Sequence, residues 1–584
     1  MTAPDSNPSS TAKPTPARAI VPIVAAILVA LLYAAGSWSN QFVYDDHEVI
    51  ENQFPVHDTQ DLIEIFRRPH YLNFPYYRPL TRSTFALQKT IWGDSPRAYH
   101  LFNAVLAGLV MLAAYLLLCR PAVKLSWPVA LIAALWFSLH PAISECVYPA
   151  ASGRETLMPA LMILLAVWAY LHRDAAWYGA AMLFFIAALL CKEQAAVIPG
   201  IFVLADLLLI NDGPTNRKTI ASSILRWAPA FCILIVYFII RRAVLGQTLP
   251  AVAIAEHPFE PLLSIVYGLQ TAVMPFMSLH YEPTFHVWFR PQLTSVAIGT
   301  AVILFVILFR ADSATRRIAL FWAGWFVLLQ LPTAHLVRQE AAYSERYAAL
   351  AILAFPGIAG LIWSQMKRED RAGRPKLPLA ASAIAFTWVV VLGGFSFLRG
   401  ASYADDNAFC AQWVATNPDS ATAHAGLASV AQERHELPAA IAEYQRALQL
   451  DPHLSSAHNG LANILSEQGD LTGASAHYQE LLQDDPRNIQ AMVGYAQTLG
   501  QLAFTQHDSA ARDRARALLD RAIAINPSYP QAHYILAIWH QAFGTQAAAR
   551  SELQQALRLQ PNWPEARKRL DALTDQPNRS HAHE

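Results

Sequence analysis

The chain has 584 residues, with 43 Lys and Arg against 43 Asp and Glu, so its formal net charge is zero. There is no basic excess of the kind that holds nucleic acid through its phosphates. Charged residues make up only 15% and the apolar set 54%, with a mean hydropathy of +0.25. A soluble globule has no place for that much apolar surface, which points to a membrane protein. Five cysteines without a CxxC pair argue against a disulfide framework, structural zinc or a thioredoxin-type site.

The composition changes near residue 400. From Ala401 to Glu584 there are 20 acidic and 13 basic residues, and long apolar runs stop near Leu398. Met1–Ala17 is a polar leader rich in Ser, Thr and Pro, read as a disordered cytoplasmic tail. Eleven apolar runs of spanning length follow, near residues 18–37, 100–119, 126–145, 156–172, 175–191, 194–211, 227–240, 293–309, 318–335, 346–364 and 378–398. The polar leader argues against the first run being a cleaved signal peptide.

Orientation follows from the distribution of Lys and Arg. Lys13 and Arg18, Arg120 and Lys124, Arg217, Lys218 and Arg226, Arg310, Arg316 and Arg317, and the group from Lys367 to Lys376 all fall on the cytoplasmic side if Pro261–Leu279 does not cross. That segment is therefore read as re-entrant or lying along the outer surface, with Arg241 and Arg242 as outer exceptions. The loop 37–99 and everything after residue 400 are then extracytoplasmic.

The tail is repetitive. Pro418, Pro452, Pro486, Pro527 and Pro561 are spaced 34, 34, 41 and 34, and 34 is the tetratricopeptide period. Leu427, Ala428, Ala440, Tyr444 and Ala447 recur in type as Leu461, Ala462, Ala474, Tyr478 and Leu481, and as Leu536, Ala537, Ala549, Leu553 and Ala556. The long spacing carries about seven extra residues near Gln501–Asp513. An α-solenoid over residues 401–575 follows, with a polar groove that binds a peptide or protein partner. Asn459 and Asn463 are its candidate contacts, and a spacer or homodimer surface is the bland alternative. Residues 576–584 read as a second disordered tail.

Ionisable residues collect at the outer ends of the spans. Phe42-Val-Tyr-Asp-Asp46 follows the first span, and two adjacent carboxylates there can serve as a general base, a metal-ligand pair or a polar loop cap. Tyr77-Arg-Pro-Leu80 comes next, then Ser152-Gly-Arg-Glu155, Cys191-Lys-Glu-Gln194 and Ser344-Glu-Arg-Tyr347. Charges at membrane depth are costly and mark function by default, with an interhelix ion pair as the structural alternative. Convergence on one face suits an anionic, lipid-linked substrate.

The ordered set Phe42-Val-Tyr-Asp-Asp46, Tyr77-Arg-Pro-Leu-Thr81, His100-x-x-Asn103, Gly153-Arg-Glu155, Lys192-Glu-Gln194 with Asp206, Pro275 with Leu279-His-Tyr281, Glu345-Arg-Tyr347 and a tetratricopeptide tail resembles the TMTC (transmembrane and tetratricopeptide-repeat-containing) protein O-mannosyltransferases. The resemblance implies an all-α, polytopic GT-C helical bundle of about eleven transmembrane helices over residues 18–400, followed by the solenoid. It implies a glycosyltransferase that moves a sugar, usually mannose, from a polyprenyl-phosphate donor to Ser or Thr of an exported protein. Asp45 or Asp46 is then the general base, with Glu155 as a further catalytic residue. Arg154, Lys192 and Arg346, then Arg241 and Arg78, are the donor-phosphate candidates. The family's motif carries an Asp one residue beyond Glu155, so Glu155 either replaces it or is structural. Some GT-C enzymes use a divalent metal, Mg or Mn, and others do not, which leaves the metal open. The expected setting is a bacterial inner membrane with site and repeats on the periplasmic side. A GT-C enzyme acting on lipid or polysaccharide, and a non-catalytic repeat scaffold, are the competing readings. A transporter is disfavoured by the absence of internal duplication in the membrane half.

Overall fold

The computed structural model describes residues 16–51, 55–67, 76–210, 217–246, 260–276, 291–333, 344–365, 368–369, 375–376, 379–560 and 563–574. Most of the leader, the tail 576–584 and the Leu279-His-Tyr281 stretch lie outside these. The fold is all-α, a membrane helical part followed by a tetratricopeptide solenoid. Among the described residues the only extended pairing joins Arg368–Glu369 to Pro375–Lys376. The chain divides into two compact units, Met1–Gln412 and Trp413–Glu584.

Six helical stretches in the described residues are long and apolar enough to cross a membrane: Arg18–Gly36, Pro96–Leu118, Ala150–Tyr170, Glu193–Ile210, Ser222–Leu245 and Ala381–Tyr403. Four shorter apolar helices join them, Trp127–Ser138, Ala175–Cys191, Ser295–Phe309 and Ala351–Gln365. Ser313–Gln330 supplies the helix in the ninth apolar run. The third run is broken: Trp127–Ser138 ends before His140, whose Nδ1 caps a new turn at Pro141–Ser144 by accepting from the Ala142 N–H at 3.2 Å. Pro141 has no N–H to continue the first helix, which is why the run splits there. The Pro261–Leu279 segment forms a helix from Glu260 to Val273, 14 residues. At 1.5 Å per residue that is roughly 21 Å, short of the ~30 Å hydrocarbon layer.

The site rests on four helices packed in sequence. Pro16–Gly36 lies on Pro96–Leu118, which lies on Ala150–Tyr170, which lies on Ala175–Cys191. At the far end of Ala150–Tyr170, Asp206 accepts from the Tyr170 hydroxyl at 3.0 Å, the Arg226 guanidinium at 2.9 Å and the Trp227 indole at 3.0 Å. This buried group ties three helices together about 26–30 Å from the first turn, by the same rise per residue.

In the second unit each repeat is a helix pair. Ala440, Tyr444 and Ala447 of Leu437–Leu450 pack on Ala457, Leu461 and Ile464 of Ser455–Glu467. Ala474, Tyr478 and Leu481 do the same against Ile489–Gln506. The extra residues of the long repeat lengthen both helices, to Ile489–Gln506 (18 residues) and Ser509–Ile525 (17 residues), around a tight turn at His507, φ +55. Gly460 sits directly under the Tyr444 ring, and a Cβ there would collide with it. Gly460→Ala should lower the stability of the array by roughly 1–3 kcal/mol, the usual cost of overpacking. Gly500→Ala, in open space on Ile489–Gln506, should raise it by about 0.5–1 kcal/mol through helix propensity. Thermal unfolding of the two variants checks the pair.

Candidate active site

The first turn of Ala150–Tyr170 carries N–H groups with no partner inside the helix. The Asp46 carboxylate takes two of them. Its Oδ2 accepts from the Ala150 N–H at 3.0 Å and its Oδ1 from the Ala151 N–H at 2.6 Å. Oδ2 also accepts from the Val43 N–H at 3.1 Å, which closes the loop on itself. Asp46 is 0% exposed. Burial pushes its carboxyl up to about 7, against the pull of these three donors. A negative group here also suits the positive end of the helix dipole. Phe42, Val49 and Ile50 flank it and pack on Phe85, Tyr99, Ala150 and Ala151.

Asp45 has different surroundings. Its side chain is 27% exposed, and its Oδ2 lies 3.8 Å from Arg346 Nη1. Burial raises its carboxyl above the usual range. Arg346 opposes that rise, Glu155 adds to it, and Arg78 and Lys192 oppose it at longer reach. Four of the residues singled out in the sequence therefore act on one carboxylate.

Glu155 and Arg78 form a buried pair. Arg78 Nη1 donates to Glu155 Oε2 at 2.5 Å, while Nε and Nη2 donate to the two oxygens of Glu193 at 3.2 and 2.6 Å. The guanidinium also lies over the Tyr76 ring at 4.4 Å. With its fork spread over two carboxylates, Arg78 works as a strut. Lys192 occupies the joint between Ala175–Cys191 and Glu193–Val197. Burial and the nearby Arg78 bring its ammonium down to about 8, with Glu155 pulling the other way. Among the described residues no ion pair holds that ammonium.

Arg346 is set from behind. Its N–H donates to Glu145 Oε2 at 3.1 Å, and the Ser344 hydroxyl donates to Glu145 Oε1 at 2.5 Å. Next to it Glu345 accepts from Arg399 at 2.7 Å, and Arg399 also donates to the Pro141 carbonyl at 3.1 Å.

Arg154 and Arg241 lie in aromatic surroundings. Arg154 is 0% exposed, with its guanidinium carbon 4.3 Å from the Phe85 ring, 4.3 Å from Phe102 and 5.5 Å from Tyr99. Its Nε donates to Asn103 Oδ1 at 3.4 Å. Such a cage holds a cation by ring quadrupoles. Arg241 is buried, and its charge acts with those of Arg78 and Glu193 around Tyr237, whose ring is 6.2 Å from that of Tyr77. Asn459 and Asn463 are one turn apart on Ser455–Glu467, and Asn463 Oδ1 accepts from the Tyr478 hydroxyl at 2.6 Å. Reading the sequence missed Glu193, Glu145, Glu345 and Arg399 as members of the network. Glu193 and Glu345 lay inside stretches already singled out, but nothing in spacing paired them with Arg78 and Arg399.

The fold and site together define a polytopic, all-α membrane protein with a buried acid–base cluster and a tetratricopeptide array. The TPR repeat family matches residues 430–469. Mouse protein O-mannosyl-transferase TMTC4 is 28% identical over 214 residues, 31% of this chain and 29% of its own length. Mouse TMTC3 is 29% identical over 191 residues, 30% of this chain and 20% of its own. Drosophila melanogaster Tmtc3 is 26% identical over 206 residues, 29% of this chain and 22% of its own. The chain is thus TMTC-like, and its match spans less than a third of the length of these relatives. Among solved structures, a thermophilic TPR protein of Thermus thermophilus is 23% identical over 26% of this chain and 81% of its own, with a TM-score of 0.25. The first TPR domain of human RPAP3 is 23% identical over 21% of this chain and 91% of its own, with a TM-score of 0.19.

The two aspartates should separate on substitution. Asp46→Ala leaves buried N–H groups without an acceptor, at roughly 1–3 kcal/mol each. Asp45→Ala leaves none and should unfold at the wild-type temperature. Arg78→Ala removes the guanidinium shared by Glu155 and Glu193 and should cost roughly 3–5 kcal/mol, as for a broken buried pair. Thermal unfolding of the purified protein in detergent reads all three.

Proposed function

We propose that the chain is a membrane glycosyltransferase of GT-C type that moves a sugar, mannose, from a polyprenyl-phosphate donor to a Ser or Thr hydroxyl of an exported protein. The observation that carries this reading is Asp45: a partly exposed carboxylate, raised above the usual range, flanked by Arg346 and in the field of Lys192 and Glu155. The activity for which the relatives are named, protein O-mannosyl-transfer, supplies the reaction class.

Asp45 takes the proton of the acceptor hydroxyl as its oxygen attacks the anomeric carbon. The bond from that carbon to the phosphate oxygen breaks, and its electron pair leaves with the polyprenyl phosphate. General-base help of this kind is worth about 10²–10⁴-fold. Lys192 and Arg346 meet the charge that develops on the leaving phosphate. Fixed cations in a dry site act most strongly where charge appears during the reaction. Glu155 keeps Lys192 charged and, through Arg78, fixes Glu193. Arg154 is reassigned from phosphate binding to holding the helix start. Asp46 is reassigned from base to anchor. Its oxygens are committed to backbone donors, so Asp45 and Asp46 do not fit as a metal-binding pair. Among the described residues no group of three or more His, Cys, Asp or Glu side chains is placed to hold a metal ion.

The repeats present the acceptor, with Asn459 and Asn463 as its first contacts, on the periplasmic side of a bacterial inner membrane. The direct test is transfer in proteoliposomes from radiolabelled polyprenyl-phosphate mannose to proteins of a periplasmic extract. Label in protein, lost in Asp45→Asn, supports the reading. Label in lipid alone supports a lipid-directed enzyme. No transfer from any sugar donor supports a scaffold.

The pH profile has a stated shape. Asp45 must be deprotonated, so the rate falls as pH drops through its raised range. Lys192 must be charged, so the rate falls again as pH rises past about 8. kcat/KM should be bell-shaped, and Lys192→Arg should move the alkaline limb upward.

A further inference from the structure

The loop bearing Asp45 is held on two sides, and only one of them is the Asp46 anchor. The other is the segment with which the chain leaves the membrane half. The Asn40 amide donates to the Gly400 carbonyl at 3.1 Å, and the Gln41 N–H to the Ala404 carbonyl at 2.8 Å. At the end of this strap stands Asp406, first residue of the helix Asp406–Thr416. Its Oδ1 accepts from the Tyr44 N–H at 2.7 Å, and its Oδ2 is 2.9 Å from His47 Nε2. The other ring nitrogen of His47 is 3.1 Å from Glu51 Oε2. The Tyr44 ring lies 5.8 Å from Phe409 on the same helix as Asp406.

The backbone at Tyr44 explains why such a grip is needed. Its φ is +51, the left-handed region that an aromatic residue rarely adopts. Strain of this kind persists only where the surroundings over-determine it, and it gathers at functional sites. Here it turns the chain so that Asp46 goes to the helix start while Asp45 goes to Arg346. The hydrogen bond from the Tyr44 N–H to Asp406 helps hold the residue immediately before Asp45 in that turn, beside the bond of 3.3 Å that its carbonyl accepts from the His47 N–H.

We infer that Asp406 is a positioning residue for transfer: by gripping the Tyr44 N–H and His47 across the loop, it keeps the Asp45 carboxylate against Arg346. The inference rests on the reading of Asp45 as the base. Asp406 touches neither sugar nor acceptor in this scheme and acts through the turn at Tyr44. His47 reinforces it. Burial alone would lower the imidazole, but its bonds to Asp406 and Glu51 outweigh that and raise it. Those two carboxylates are the charged groups seen against it.

The test compares Asp406→Ala, Asp406→Asn and wild type in the transfer assay across pH, with unfolding temperatures measured in parallel. Asp406→Ala should lower kcat by about 10–100-fold, a loss of the size that small misplacement of a catalytic group produces, and leave KM for the donor unchanged. Its acid limb should move to higher pH, because Asp45 loses the close cation that opposes its rise. Asp406→Asn keeps an acceptor for the Tyr44 N–H and should return most of the rate. His47→Gln, which removes the second grip only, serves if Asp406→Ala does not fold, and should show a smaller fall with the same shift of the acid limb. Wild-type rates in Asp406→Ala, or equal losses in the Ala and Asn variants with an unmoved acid limb, overturn the inference. The two failures are distinguishable: no transfer by wild type removes the functional reading together with this one, whereas wild-type transfer with an indifferent Asp406 removes this one alone.

Discussion

A buried helix start needs acceptors for its first N–H groups, and in this protein a single carboxylate serves the first two. Asp46 accepts from two N–H groups of the opening turn of Ala150–Tyr170 and so pins the first long loop to the most buried of the six long apolar helices among the described residues. Everything in the candidate site is referred to that point. The loop cannot shift without exposing unsatisfied donors, so the residue beside Asp46 inherits a fixed address. The far end of the same helix is tied by Asp206, Arg226 and Tyr170, which leaves the helix little freedom to slide.

Around this frame the charges divide their work. Arg78, Glu155 and Glu193 neutralise one another in a dry setting, where an unpaired ion would be far more costly than the pair. Arg399 and Glu345 do the same behind Arg346. These pairs are rigid and fully engaged. What they leave in the middle is a carboxylate with some access to solvent, Asp45, and an ammonium, Lys192, that no described carboxylate neutralises directly. The contrast between saturated and unsaturated charges is what separates scaffold from chemistry here, and it is invisible to residue type alone.

Much of the fold was legible because it rests on strong, periodic signals. Apolar runs and the 34-residue spacing of proline each report a repeated physical constraint, bilayer thickness in one case and helix-pair stacking in the other. The break at His140 was not legible within a continuous apolar run, although Pro141 marked the place. For the site, the ordered motifs name the stretches whose charges act on Asp45, but they do not distinguish the surroundings of their individual members. Asp45 and Asp46 are chemically identical neighbours, and it is partners far along the chain, the N–H groups of Ala150 and Ala151 for Asp46 and Arg346 for Asp45, that tell them apart. Arg154 is a donor-phosphate candidate as the cation of the Gly153-Arg-Glu155 motif. On a helix adjacent residues point about 100° apart, and that rotation sends Arg154 among Phe85, Tyr99 and Phe102. Asp406 carried no motif at all, since its importance depends on a left-handed turn at Tyr44 that no spacing rule announces.

The central claim is that Asp45 moves the proton and Asp46 holds the loop. Chemical rescue tests it most directly: transfer by Asp45→Ala and Asp46→Ala in proteoliposomes, measured with and without added formate. A missing base can be replaced by a small diffusible carboxylate, whereas a missing anchor cannot. The account predicts that formate restores transfer to Asp45→Ala and leaves Asp46→Ala inactive. Restoration of Asp46→Ala with none in Asp45→Ala would contradict it.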